Sequence, residues 1–64
     1  MCLSTVYKKE ENENVFLLKN IAKVEVSGKE LSFTDLMGVR TVLCGELLEI
    51  DLIENTILMK EGDQ

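Results

Sequence analysis

The 64-residue chain contains no histidine and no proline, only two cysteines, and no aromatic residues beyond Tyr7, Phe16 and Phe33. Without histidine, the Ser-His and Cys-His nucleophile pairs cannot be assembled. Gly28, Gly38, Gly45 and Gly62 are too scattered to make a phosphate-cradling loop. No CxxC pair signals zinc, and two cysteines do not make a disulfide framework. No apolar run approaches the roughly 20 residues that cross a bilayer. With no leader sequence in view, a soluble protein of the reducing cytoplasm is expected.

Basic residues are also scarce, with 7 against 12 acidic ones and a formal net charge of -5. Such a field repels phosphate backbones. The lysines and Arg40 form no stripe and do not alternate with aromatic side chains, so nucleic-acid binding is disfavoured.

What remains is a single small domain over residues 1–64. A chain of this size buries only about 60% of the surface its unfolded form exposes. Its core supplies roughly 3–5 kcal/mol, so a metal or self-association is expected to support it.

The apolar residues follow the period of strands. Leu3, Thr5 and Tyr7 alternate with Ser4, Val6 and Lys8, which predicts a first strand over Cys2–Lys8. The polar run Lys9–Asn14 reads as a solvated connection, with Glu10, Glu11 and Glu13 a weaker suggestion of metal ligands. Val15–Leu18 follows as a short buried strand, with a helical turn possible over Leu17–Lys23. Val24 and Val26, a turn at Ser27-Gly28-Lys29, then Leu31 and Phe33 make the clearest hairpin. Asp35–Gly38 is a loop that leads through Val39 to another strand, Arg40–Cys44. Gly45 is expected to mark a bulge or bend.

Glu46–Ile53 alternates as a strand, with Leu48, Ile50 and Leu52 inward, and a turn at Glu54-Asn55 leads into a last strand, Thr56–Lys60. The fold predicted is all-β: five to six strands in a small barrel or a strongly bent antiparallel sheet. With Ile57 and Met59 also inward, Ile53 and Leu58 fall outside and are expected to form part of a homodimer interface.

Few residues carry chemistry. Glu49 and Asp51 share a strand face but read as solvent-facing charges, and Asp35 reads as a turn residue rather than a general base. Cys44 sits in an apolar stretch, where a lone cysteine is usually a small hydrophobe, and it approaches Cys2 only if the first and middle strands are neighbours. Cys2 is different. If the initiator methionine is removed, its α-amine and thiolate close a five-membered chelate; if Met1 stays, the Met1 amine, the Cys2 amide nitrogen and the Cys2 sulfur make two fused rings. Nitrogen with thiolate suits a square-planar d⁸ ion, so Ni(II) leads, with copper and zinc as competitors. Two such termini near a two-fold axis would complete an N₂S₂ set. The plain alternative is an exposed thiol on a frayed end.

The opening Met1-Cys2-Leu3-Ser4-Thr5-Val6, the Val24–Val26 to Leu31–Phe33 hairpin and the closing Glu49–Leu58 stretch resemble the CooT family of small nickel-binding proteins. The resemblance covers almost the whole chain, and the Met-Cys start is its one sharp motif. It implies a non-enzymatic homodimer of small β-domains in which Cys2 of each subunit holds nickel at the interface. It also implies an accessory role for a nickel enzyme such as carbon monoxide dehydrogenase, and transfers no role to Cys44. A different class of function is a small β-barrel interaction module with Cys2 incidental; an RNA-binding protein ranks behind both.

Overall fold

The computed structural model describes residues 2–62. Five strands form a closed barrel in chain order: β1 (Ser4–Lys9), β2 (Asn14–Ser27), β3 (Glu30–Asp35), β4 (Arg40–Asp51) and β5 (Thr56–Glu61). Consecutive strands pair antiparallel, as a meander requires. The ring is closed by β1 and β5, which run parallel, with Thr5 opposite Thr56 and Lys8 opposite Met59. The expected all-β barrel is therefore present, with five strands and one parallel seam that alternation alone does not reveal.

Two long strands do the work of four. The first half of β2 pairs with β1 and its second half with β3, the change falling at Ile21, which faces both Ser4 and Asp35. Asn20 supplies the corner with φ 58°, a left-handed conformation that Asn tolerates better than most residues. The helical turn that the spacing of Leu17–Lys23 also allows is not formed: a kink between two extended halves produces the local helix-like spacing. Likewise β4 pairs through Arg40–Cys44 with β3 and through Gly45–Asp51 with β5.

Gly45 is the second corner, and its lack of a side chain is required there. A Cβ at this position would overlap the Lys60 carbonyl oxygen and lie 2.8 Å from Met59 Cε. The strand continues through Gly45, and the bulge expected there falls three residues later, at Leu48, between the pairs Leu47–Met59 and Glu49–Leu58. That extra residue shifts the alternation. Leu47 packs against the core, while Leu48 and Leu52, expected inward, are exposed. Ile50 stays opposite buried Ile57 but is half exposed at the barrel end.

The core is Val6, Ile21, Leu31, Phe33, Ile57 and Met59, with Leu17, Leu18, Val24, Leu43 and Leu47 packed against it. Every strand contributes at least one of these residues. Fully burying an apolar side chain of this size stabilises by about 1.5–3 kcal/mol, so the loss of one is a large fraction of the stability of so small a domain. The buried Ser32 hydroxyl accepts a short hydrogen bond from Arg40 Nε, which satisfies a polar group under the Arg40 side chain.

Candidate metal centre at the N-terminal end

The first strand begins at Ser4, two residues later than alternation predicts, so Cys2 and Leu3 precede the barrel wall. Cys2 is exposed and free. Met1, and with it the state of the α-amine, lies outside the described residues, as do Asp63 and Gln64 of the polar tail.

Hydrogen bonds locate this terminus between two turns. On one side, the Thr5 amide donates to the Asn55 carbonyl at 3.0 Å, placing the start of β1 beside the β4–β5 turn. On the other, Ser4 pairs with Ile21, and the neighbouring Asn20 carbonyl accepts the Leu36 amide at 2.9 Å. That brings in the β3–β4 turn.

The two turns are built alike. Asp35 Oδ1 accepts the amides of Met37 and Val39, both at 2.9 Å, and Gly38 completes the bend with φ 88°. Asp51 Oδ1 accepts those of Ile53 and Glu54 at 3.0 and 2.9 Å, with Asn55 at φ 59°. In both, an aspartate carboxylate substitutes for a missing backbone partner. Each aspartate is followed by two outward aliphatic residues, Leu36-Met37 and Leu52-Ile53. Met37 is 83% exposed and Ile53 89%. The terminus carrying Cys2 is therefore bracketed by apolar side chains that this chain leaves in water.

The turns account for two of the candidate acids. Asp35 is the turn residue expected, and Asp51 is occupied in the same way, which leaves Glu49 alone and exposed on the outer face. Among the described residues, no group of three or more Cys, Asp, Glu or His side chains could hold a metal ion. Glu10, Glu11 and Glu13 therefore do not form such a group. One of the three, Glu10, pairs with Lys8 at 3.1 Å, and Lys8 also reaches Glu61 at 3.0 Å. These contacts, Glu61 foremost, raise the Lys8 pKa above its ordinary value.

Cys44 does not join Cys2. The neighbours of β1 are β2 and β5, and the Cys44 carbonyl accepts the Gly62 amide at the far end of β5. The length of β5 separates them, about 20 Å at roughly 3.3 Å per residue. Cys44 is half-buried in the barrel wall, as a small apolar residue.

The donor set at Cys2 fits a metal ion in part. One thiolate with one or two nitrogens from the terminus fills two or three positions of a square plane, and among the described residues no group of side chains supplies the rest. A second copy of the same terminus would. Wide, open hollows of about 410 and 390 Å³ lie around the Glu10–Glu13 loop, and a smaller one lined by Lys29, Gly45, Glu46, Lys60, Glu61 and Gly62 measures about 100 Å³. The last falls short of the roughly 300–1,000 Å³ typical of small-molecule sites, and the first two are lined by charged and polar side chains, unlike the mostly apolar walls of such sites.

The outward Leu36-Met37 pair is the part of this site that strand alternation does not show. Its signal lies in the repeated Asp-Leu-aliphatic pattern at residues 35–37 and 51–53. Of the two residues expected at a dimer interface, Ile53 is fully presented, while Leu58 is half-buried in a row with Tyr7 and Glu49. Tyr7 in turn meets Phe16 edge to face, the ring centroids 6.4 Å apart.

A family model described as the CO dehydrogenase accessory protein CooT matches residues 1–60. A solved structure of CooT from Carboxydothermus hydrogenoformans superposes with a TM-score of 0.87 over 97% of this chain and 100% of that one. The two sequences are 18% identical, so the superposition shows the common fold. No curated protein sequence matches the chain.

Proposed function

Because the chain belongs to the CooT family of carbon monoxide dehydrogenase accessory proteins, we propose that it carries Ni(II) as cargo, bound by Cys2 where two copies meet, for insertion into such an enzyme. The carrying observation is the position of Cys2: an exposed thiol on the chain terminus, held between two turns that present Leu36, Met37, Leu52 and Ile53 to water. Burying those side chains against a second copy contributes at roughly 25 cal/mol per Å² and brings the two termini together. Each copy then supplies half of the ligand set. The Ile53 part of the expected interface is retained in this proposal, and the Leu36–Val39 turn replaces Leu58.

Within this account each residue has a task. Cys2 binds the ion through sulfur and, with the terminus, through nitrogen. Thr5 and Ser4 anchor the terminus to Asn55 and Ile21. Asp35 and Asp51 hold the turns in shape. Coordination at a chain end, outside a closed cage, permits an incoming ligand of the client to displace it. The protein acts without catalysing a reaction, in the cytoplasm where the client is assembled.

A nickel titration followed by thiolate-to-nickel charge-transfer absorption tests the proposal, with Cys2→Ser as the control. Saturable absorption that is lost in the control supports it. A folded protein that takes up no nickel sinks it and leaves an interaction module as the reading of the apolar turns.

A further inference from the structure

The second half of β4 pairs with β5 on one side, and among the described residues no strand pairs its other side, since the pairing with β3 ends where Glu30 faces Cys44. This half-strand is an exposed edge. It carries Leu48 and Ile50 at 44 and 50% exposure and runs into the turn that begins with Leu52. Beside them stand Glu46, Glu49 and Asp51, with Glu54 following, and residues 46–54 contain no lysine or arginine. Glu46 lies 3.8 Å from Lys29 and opposite Lys60, and Asp51 is engaged in its turn. Glu49 and Glu54 form no ion pair among the described residues.

We propose that this edge docks a cationic, aliphatic polypeptide segment of a different protein, in which lysine or arginine alternates with residues such as valine or leucine. Resting on the accessory-protein reading, that segment belongs to the client. The charge selects the occupant. A second copy laid antiparallel along the edge would set Glu49 and Asp51 against their own carboxylates, and facing like charges are destabilising. Nucleic acids and anionic lipid surfaces are repelled by the same row. The uncharged run Leu36-Met37-Gly38-Val39 has no such conflict, so self-association draws on that turn with Leu52 and Ile53, and the docked segment lies along Leu48, Ile50 and the carboxylates beside them.

Register adds a functional connection. Ile50 faces Ile57, the next rung is Asp51 with Thr56, and Thr56 faces Thr5 of the strand that begins just after Cys2. A segment lying along the edge therefore ends at the same end of the barrel as the thiol, with β4 and β5 between them. The bulge at Leu48 interrupts regular pairing, so side chains, more than a continuous ladder, carry the recognition.

The test is amide chemical-shift mapping of the ¹⁵N-labelled protein with a capped synthetic peptide of alternating lysine and valine. A peptide of alternating lysine and serine serves as the charge-matched control. The expected result is saturable shifts confined to residues 46–54 and their β5 partners, weaker binding of the serine peptide, and roughly fivefold weaker binding of the valine peptide to Glu49→Lys. Shifts centred on the Glu10–Glu13 loop, an equal response to both peptides, or no response overturns the proposal. Nickel uptake measured on the same samples reports separately on Cys2, so failure of either proposal is distinguished from failure of the other.

Discussion

The Thr5 amide donates to the Asn55 carbonyl at 3.0 Å, and this bond ties the chain terminus to the turn that carries Ile53. Cys2, three residues before Thr5, is thereby kept at the end of the barrel where exposed aliphatic side chains collect.

The surface around this end should hold two copies together. Met37→Asp and Ile53→Asp place a charge on exposed turn positions whose backbone bonds come from Asp35 and Asp51, so each monomer stays folded. Sedimentation velocity should show the dimer shifting to monomer in the double variant, with folding checked by circular dichroism. An unchanged dimer would place the interface elsewhere.

Gly45 should resist substitution. In Gly45→Ala the new methyl group meets the Lys60 carbonyl oxygen, a backbone atom that cannot swing aside, as well as Met59 Cε in the core. A loss of about 1–3 kcal/mol is expected from urea unfolding, the range for forcing a methylene into a packed site. A smaller loss would mean that β4 and β5 can separate at this corner.

Asn20 should behave as a corner too. A β-branched residue at φ 58° incurs about 1–2 kcal/mol of strain, whereas glycine adopts this conformation freely. Asn20→Val should therefore lower the urea midpoint markedly, and Asn20→Gly only slightly. Equal effects of the two would remove the conformational explanation of the β2 kink.

These two corners mark where alternation stops being informative. The hairpin of Val24, Val26, Leu31 and Phe33 is legible because its apolar residues keep strict alternation about a Gly28-Lys29 turn. The inward places of Ile57 and Met59 follow for the same reason. Leu48 is misplaced by alternation because it is the unpaired residue of the bulge, and Leu52 because β4 ends at Asp51 and leaves it in the turn; register against β5 is set by three-dimensional pairing. The single long β2 reads as two pieces because Asn20 breaks its pattern without breaking its chain. Cys2 is legible from chemistry, since its position next to the terminus needs no fold. Its neighbours Leu36, Met37 and Ile53 are remote in sequence and converge only through the β1–β2 and β1–β5 registers.

Lys8 gives the molecule a pH dependence at the alkaline end. Hydrogen bonding and charge from Glu61, then from Glu10, stabilise its ammonium form, so its folded pKa lies above the ordinary 10.5. A group with a raised folded pKa contributes its full stability below the unfolded value and loses it as pH rises through the folded value. The stability difference between the native protein and Lys8→Met should hold constant between about pH 6, where Glu61 and Glu10 are ionised, and about pH 10, and shrink above it. Direct NMR titration of the Lys8 ε-methylene should place its midpoint above 10.5. A midpoint at or below that value would show that the Glu61 and Glu10 contacts do not persist in solution.

The central claim is that one ion is shared by the Cys2 termini of two chains, and native mass spectrometry of the nickel-loaded protein tests it most directly. The account predicts a dimer carrying a single nickel, with neither the metal nor its charge-transfer band present in a folded Cys2→Ser dimer. One nickel on each chain, or nickel retained in Cys2→Ser, would contradict it.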